Sequence, residues 1–189
     1  VEGKILKSNF KFYFIYDKKL LEIKNFYFRD KNLSFNSNGN IKLKPFFKAN
    51  FNSEINSINT DILKNLDIER ILNFKDLIKR LNSENNIFMK SKKFSRNLIE
   101  DLSLNIKLAY GNLFILKDLN ISNSKFNCRN NINLLDENPI FYFNCNLNSP
   151  NKKDLLKRFN IDIKEKKEKI DLIVQGNINI FNKKINFDN

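Results

Sequence analysis

The sequence predicts a mostly β protein with some α (α+β), built of antiparallel β-meander repeats with amphipathic helices between the repeats. Three observations predict it. Apolar and polar residues alternate with period two over long stretches, which makes one face of a strand dry and the other wet. The phase of that alternation inverts across short polar turns, as it must when a chain folds back and keeps its apolar residues on one side of a sheet. The same pattern then recurs roughly 90 residues further on, the signature of a repeat architecture.

The elements follow in order. VEGKILKSNFKFYF reads as a hairpin turning around Ser8 and Asn9. In the next hairpin Phe35, Ser37, Ile41 and Leu43 run up to a turn at Pro45 and return as Phe47, Ala49, Phe51, Ser53 and Ile55 on the same face. A helix opening at Ser57 or Asn59 comes next, with Leu63, Leu66, Phe74, Leu77, Ile78 and Leu81 forming its apolar stripe. Leu102, Leu104, Ile106 and Leu108 lead into a tight turn at Tyr110 and Gly111 and continue as Leu113, Ile115, Leu119 and Ile121. A short connection between Ser122 and Lys125 keeps Ile121 on the face of the following strand, Phe126, Cys128, Asn130, Ile132 and Leu134. After Asp136 and Glu137 the odd positions become apolar, with Pro139, Phe141, Phe143, Cys145 and Leu147. A hairpin centred there matches Ile132 with Phe141 and Phe126 with Leu147, and sets Cys128 opposite Cys145. Ser149 caps a second helix with Pro150 at its first position, and a closing hairpin sets Ile178 and Ile180 against Ile185 and Phe187 across Asn182 and Lys183.

The repeat is explicit in the letters. SFNSNGNIKLKPFFKANFNSEINS at 34–57 aligns with KFNCRNNINLLDENPIFYFNCNLNS at 125–149, each followed by a helical run. Ser37 and Ser53 stand where the later copy has Cys128 and Cys145, so the unit itself does not require a bridge. The expected division is 1–92 and 93–189, each a β-meander with its helix and both part of a longer array.

Composition excludes much of chemistry. The chain has 189 residues and a net charge of +13, from 34 Lys+Arg against 21 Asp+Glu, with no histidine. Histidine-dependent triads, dyads and zinc sites are therefore out, and neither a P-loop nor a G-x-G-x-x-G is present. Asp and Glu are scattered and form no paired acid and base, so no catalytic residue, cofactor or metal is expected. The positive charge is spread along the chain and accompanies asparagine at roughly one residue in five, so nucleic acid is not the expected partner. No stretch approaches the ~18 apolar residues of a membrane span, and the chain starts with Val, so any anchor is expected outside these residues. Cys128 and Cys145 admit three readings: a disulfide, small apolar fillers, or metal ligands, the last weakened because two thiols without histidine do not complete a zinc site. Lys117 and Asn130 are expected across from one another as polar interruptions of the apolar face.

The V-x-G-x-I strand starts of VEGKI and VQGNI carry a further implication. With KFNCRNNINLL, FYFNCNLNS, the helix KKDLLKRF and the closing VQGNINIFNKKINFDN, they resemble AsmA-like proteins of Gram-negative bacteria over nearly the whole chain. The resemblance implies a periplasmic protein anchored to the inner membrane, with a curved, groove-like sheet that handles phospholipid and supports outer-membrane biogenesis without enzymatic activity. The residues expected to line such a groove against acyl chains are Phe35, Ile41, Leu43, Phe47, Phe51, Leu104, Ile106, Ile115, Leu119, Ile121, Phe126, Ile132, Leu134, Phe141, Phe143 and Leu147. The competing reading is a structural or adhesive β-repeat domain in which the same residues are core beneath the helices and the asparagine face binds protein or glycan.

Overall fold

The computed structural model describes residues 2–5, 8–58, 72–90, 99–164 and 168–188. Twelve strands form one sheet whose spatial order is the chain order: β1 (Glu2–Ile5), β2 (Ser8–Asp17), β3 (Leu20–Arg29), β4 (Leu33–Lys42), β5 (Lys48–Ile58), β6 (Asn82–Lys90), β7 (Asp101–Ala109), β8 (Asn112–Ile121), β9 (Ser124–Asn133), β10 (Ile140–Ser149), β11 (Ile170–Asn179) and β12 (Ile185–Phe187). The sheet is open and curved, with β1 and β12 at its edges. At a strand spacing of about 4.8 Å it is ~53 Å across, and a ten-residue strand is ~33 Å long. The two helices among the described residues are short, α1 (Lys75–Ile78) and α2 (Lys152–Arg158), and neither is long and apolar enough to cross a membrane.

The tight turns are made where the sequence expects them. Tyr110 and Gly111 have φ of 48° and 91°, and Ser122 and Asn123 have 49° and 62°. Two successive positive φ values match the right-handed twist of a hairpin, which is why two residues suffice. A Cβ on Gly111 would lie 2.4 Å from Leu135 Cγ, so this position is closed to larger residues. β9 and β10 pair in the expected register, with Phe126 facing Leu147 and Cys128 facing Cys145.

Several expectations are corrected. The first turn is not at Ser8 and Asn9: Ser8 opens β2 and pairs with Ile5. Ser57 does not start a helix, because β5 runs on to Ile58; Asn59, Leu63 and Leu66 lie outside the described residues. The sheet is not antiparallel throughout, for β5 and β6 are parallel, with Ala49 beside Ser83 and Ile55 beside Met89. Parallel neighbours need a crossover, and 59–81 supplies it. The second helix is capped by Asn151, whose side chain accepts from Lys153 N–H at 3.1 Å and Asp154 N–H at 3.3 Å. Ser149 is the last residue of β10, fully buried, and its hydroxyl accepts from Ser124 at 2.7 Å.

Among the described residues, packing is concentrated at one place. Leu72 and Ile78 of the crossover bury themselves with Ile132 and Leu134, and Leu108, Leu113, Leu135, Phe141 and Ile180 close around them. The Lys75 ammonium, donating to the carbonyls of Leu135 (3.2 Å) and Asp136 (2.7 Å), fastens α1 there. At the far margin α2 buries Leu155, and Arg158 approaches Glu100 at 3.9 Å. Glu100 in turn accepts from Ser122 N–H at 3.1 Å.

Candidate functional site

The registers join the apolar sides of β2 to β12 into one face. Phe10 faces Phe28, which faces Phe35, which faces Ile55 beside Met89; Met89 then faces Leu102, Leu102 faces Leu119, and Leu119 faces Phe126, Leu147 and Leu172 in turn. The face is aromatic at its β2–β4 end. Phe12 meets Phe26 edge to face at 5.9 Å, Phe26 meets Phe35 at 5.5 Å, and Phe28 stacks on Phe35 at 5.4 Å. From β5 onward it mixes aliphatic side chains with Phe51, Phe126, Phe141 and Phe143, the last meeting Phe187 edge to face at 6.1 Å.

On the other side the residues are polar, and asparagines bond from strand to strand. Asn105 donates to Asn86 at 2.7 Å and Asn86 to Asn52 at 2.8 Å, a ladder across β7, β6 and β5. Asn127 bonds Asp118 at 2.5 Å, and Asn186 bonds Asn177 at 3.1 Å. Such cross-strand amide pairs stabilise register on a wet face, each by a fraction of a kcal/mol.

Among the described residues the apolar face is thinly covered. Along β8 to β10 its residues alternate half-buried or buried with exposed ones of the polar side, and extensive packing among the described elements is between neighbouring strands of the one sheet. A second layer would carry these side chains to full burial. Among the described residues they stay short of it, with Leu172 45% and Phe187 65% exposed.

The predicted groove residues fall into three groups. Phe35, Ile41, Phe51, Leu104, Ile106, Ile115, Leu119, Phe126, Phe141, Phe143 and Leu147 lie half-buried on the one face. Ile121, Ile132 and Leu134 are buried, the latter two in the cluster under α1. Leu43 and Phe47 lie beyond the strand ends, in the β4–β5 turn, and are exposed. Beside α1 the apolar face keeps a cleft of about 400 Å³ lined by Phe74, Leu77, Ile78, Leu81, Leu108, Leu113 and Leu134.

Other members of the face escaped the sequence reading. Phe26 and Phe28 did so because Asn25, at φ 52° with its N–H bonded to Asn38 Oδ1 at 2.7 Å, makes a bulge in β3. The bulge puts Ile23 and Phe26 on the same face at an odd spacing, which a period-two test rejects. Ile87 and Met89 were missed because Ser83 and Asn85 occupy the same face of β6 and blur its alternation.

Within the face, Cys128 and Cys145 are joined by a disulfide with Cα atoms 4.1 Å apart. Lys117 is not across from Asn130: it faces Cys128, while Asn130 faces Ile115 on one side and Phe143 on the other. On α1 the Lys79 ammonium, hydrogen-bonded to Asp76, holds that carboxyl below its ordinary value. Among the described residues no three His, Cys, Asp or Glu side chains come together as a metal site. No protein-family model, curated protein or solved structure matches this chain.

Proposed function

We propose that the apolar face is a lipid-handling groove that receives phospholipid acyl chains, in a non-enzymatic segment of an AsmA-like envelope protein. The observation that carries this reading is the continuity of one apolar face across eleven strands, β2 to β12, with cover only at its margins among the described residues. Soluble proteins seldom leave apolar patches beyond a few hundred Å² open unless something occupies them. Acyl chains suit the surface. A dozen methylenes leaving water gain ~10 kcal/mol, enough to offset an association cost of similar size. A lipid arriving from a bilayer is already out of water, so its transfer onto the face is close to neutral, which suits conduction more than tight capture. With the family resemblance, the role is passage of phospholipid between inner and outer membranes through the periplasm, by a protein anchored to the inner membrane outside these residues.

The cluster under α1 favours a packed core locally, so the test must separate open from filled parts of the face. Photocrosslinking residues at Phe126 and Phe143 are expected to capture phospholipid, whereas the same residues at Asn127 and Asn144, on the opposite side, are not. Gently purified protein is expected to carry phospholipid by mass spectrometry. Lipid-free protein with no crosslinks at Phe126 or Phe143 sinks the proposal.

A further inference from the structure

We propose that one long margin of the sheet is a docking edge for the surface of an anionic phospholipid bilayer. The registers assemble this margin. Lys42 pairs with both Leu20 and Lys48, Asn82 pairs with Ala109, and Ile140 pairs with Asn179. Together with the parallel start of β6, these pairs bring the turns β2–β3, β4–β5, β7–β8, β9–β10 and β11–β12 to the same side as α1.

Large aromatic side chains stand out from this margin at four separate points. Phe46 is 71% exposed, Phe74 61%, Tyr110 57% and Phe181 46%. Basic residues interleave with them: the segments 17–20, 42–48, 72–81, 110–111, 134–139 and 180–184 carry ten Lys and Arg against four Asp and Glu. Between the tip of β4–β5 and Tyr110 lies a cleft of about 310 Å³, walled by Phe46 and Tyr110 with Lys42, Lys107 and Glu84 around it. At the opposite margin the turns at 30–32 and 122–123 carry no aromatic residue, and the stretch 150–164 carries one, Phe159, 44% exposed.

That combination has a specific physical fit. Aromatic rings are favoured at the boundary between headgroups and acyl chains, where an apolar body meets a wet rim. Each Lys or Arg held near an anionic leaflet contributes about 1 kcal/mol, so a net excess of this size gives strong preference for anionic over neutral membranes. Either element alone would bind weakly; their interleaving along one edge lets rings insert while ammonium groups meet phosphates. The proposal goes beyond the lipid groove, because docking of this edge requires no lipid on the apolar face.

Vesicle flotation of the whole 189-residue chain tests it. Binding to phosphatidylcholine vesicles containing phosphatidylglycerol is expected to be at least tenfold tighter than to phosphatidylcholine alone, and to weaken as salt is raised. Joint substitution Lys44→Glu and Lys183→Glu is expected to weaken binding by about thirtyfold or more, and Phe46→Ser with Phe181→Ser several-fold. Lys31→Glu at the other margin is expected to leave it unchanged. All five positions are exposed, so the variants retain the fold, checked by far-ultraviolet circular dichroism. Failure to float overturns the proposal, as does equal weakening by Lys31→Glu, which would mark binding by overall charge. So does retention of full binding without Phe46 and Phe181, which would mark a polyanion surface. Phospholipid that copurifies with the protein reports on the groove alone, so the two readings can fail independently.

Discussion

The hairpins β4–β5 and β9–β10 follow one pattern, yet at the matching cross-strand position one carries two serines and the other a disulfide. Ser37 faces Ser53, and Cys128 faces Cys145. The Ser37 hydroxyl donates to the Asn52 carbonyl at 3.2 Å, which leaves Ser53 to donate across the 2.8 Å between the two oxygens. Both hydroxyls are thereby satisfied and can sit on an apolar face without the cost of an unpaired polar group. The disulfide meets the same requirement differently, since it has no polar hydrogens to place. The position selects small side chains that settle each other across the strand gap, and the covalent link is an addition to a unit that already closes without it.

The largest expected effect comes from removing that addition. Cys128 and Cys145 are 17 residues apart, and closing a loop of that length constrains the unfolded chain by about 3 kcal/mol in the chain-entropy account. Cys128→Ala with Cys145→Ala is expected to lose that amount in urea unfolding monitored by circular dichroism. Cys128→Ser with Cys145→Ser is expected to lose about 1 kcal/mol less, by reproducing the Ser37–Ser53 hydrogen bond. Equal losses for the two double variants would break the equivalence of the positions.

The reverse exchange is the next largest. Ser37→Cys with Ser53→Cys places two sulfurs where two oxygens already lie 2.8 Å apart. A bridge is expected to form and to stabilise the protein by about 2 kcal/mol. A thiol assay on unfolded, unreduced protein checks it: absence of free thiols is the expected result, and two titrating thiols would show that the backbones at this position differ between the hairpins.

The pairing of Cys128 with Cys145 was legible in the sequence because parity and a polar turn together fix an antiparallel register. Where one of those conditions fails, legibility fails with it. The Asn25 bulge breaks parity within β3, so Phe26 and Phe28 could not be assigned to the face by counting. The crossover breaks the meander, and β6 carries Phe88 exposed on the wet side, against its own pattern. The cap of α2 was misread for another reason: Ser149 and Asn151 are both good caps, and only the buried contact from Ser124 decides that Ser149 belongs to the sheet. Of the predicted groove residues, Leu43, Phe47 and Leu134 continue the alternation past the strand ends. Periodicity shows where side chains would point in a strand, but tertiary packing decides where the strand stops.

The smallest expected effect concerns how each hairpin seats its central ring. Phe51 lies opposite Gly39, whereas Phe143 lies opposite Asn130. A Cβ on Gly39 would come within 2.3 Å of both the Asn50 carbonyl oxygen and Phe51 Cδ1, so the glycine makes room for the ring inside its own hairpin. In the second hairpin the ring leans the other way: Phe143 faces Gly176 of β11, where an added Cβ would lie 2.8 Å from Phe143 Cζ and 2.2 Å from the Asn186 carbonyl oxygen. Each ring therefore has its glycine, but on opposite neighbours. Gly39→Ala and Gly176→Ala are each expected to cost about 2 kcal/mol through overpacking, and Asn130→Ala under ~0.5 kcal/mol. Urea unfolding of the three variants checks it. A neutral Gly39→Ala would show that Phe51 can swing clear of its strand, and a costly Asn130→Ala would show that the amide, more than Gly176, holds the Phe143 ring in place.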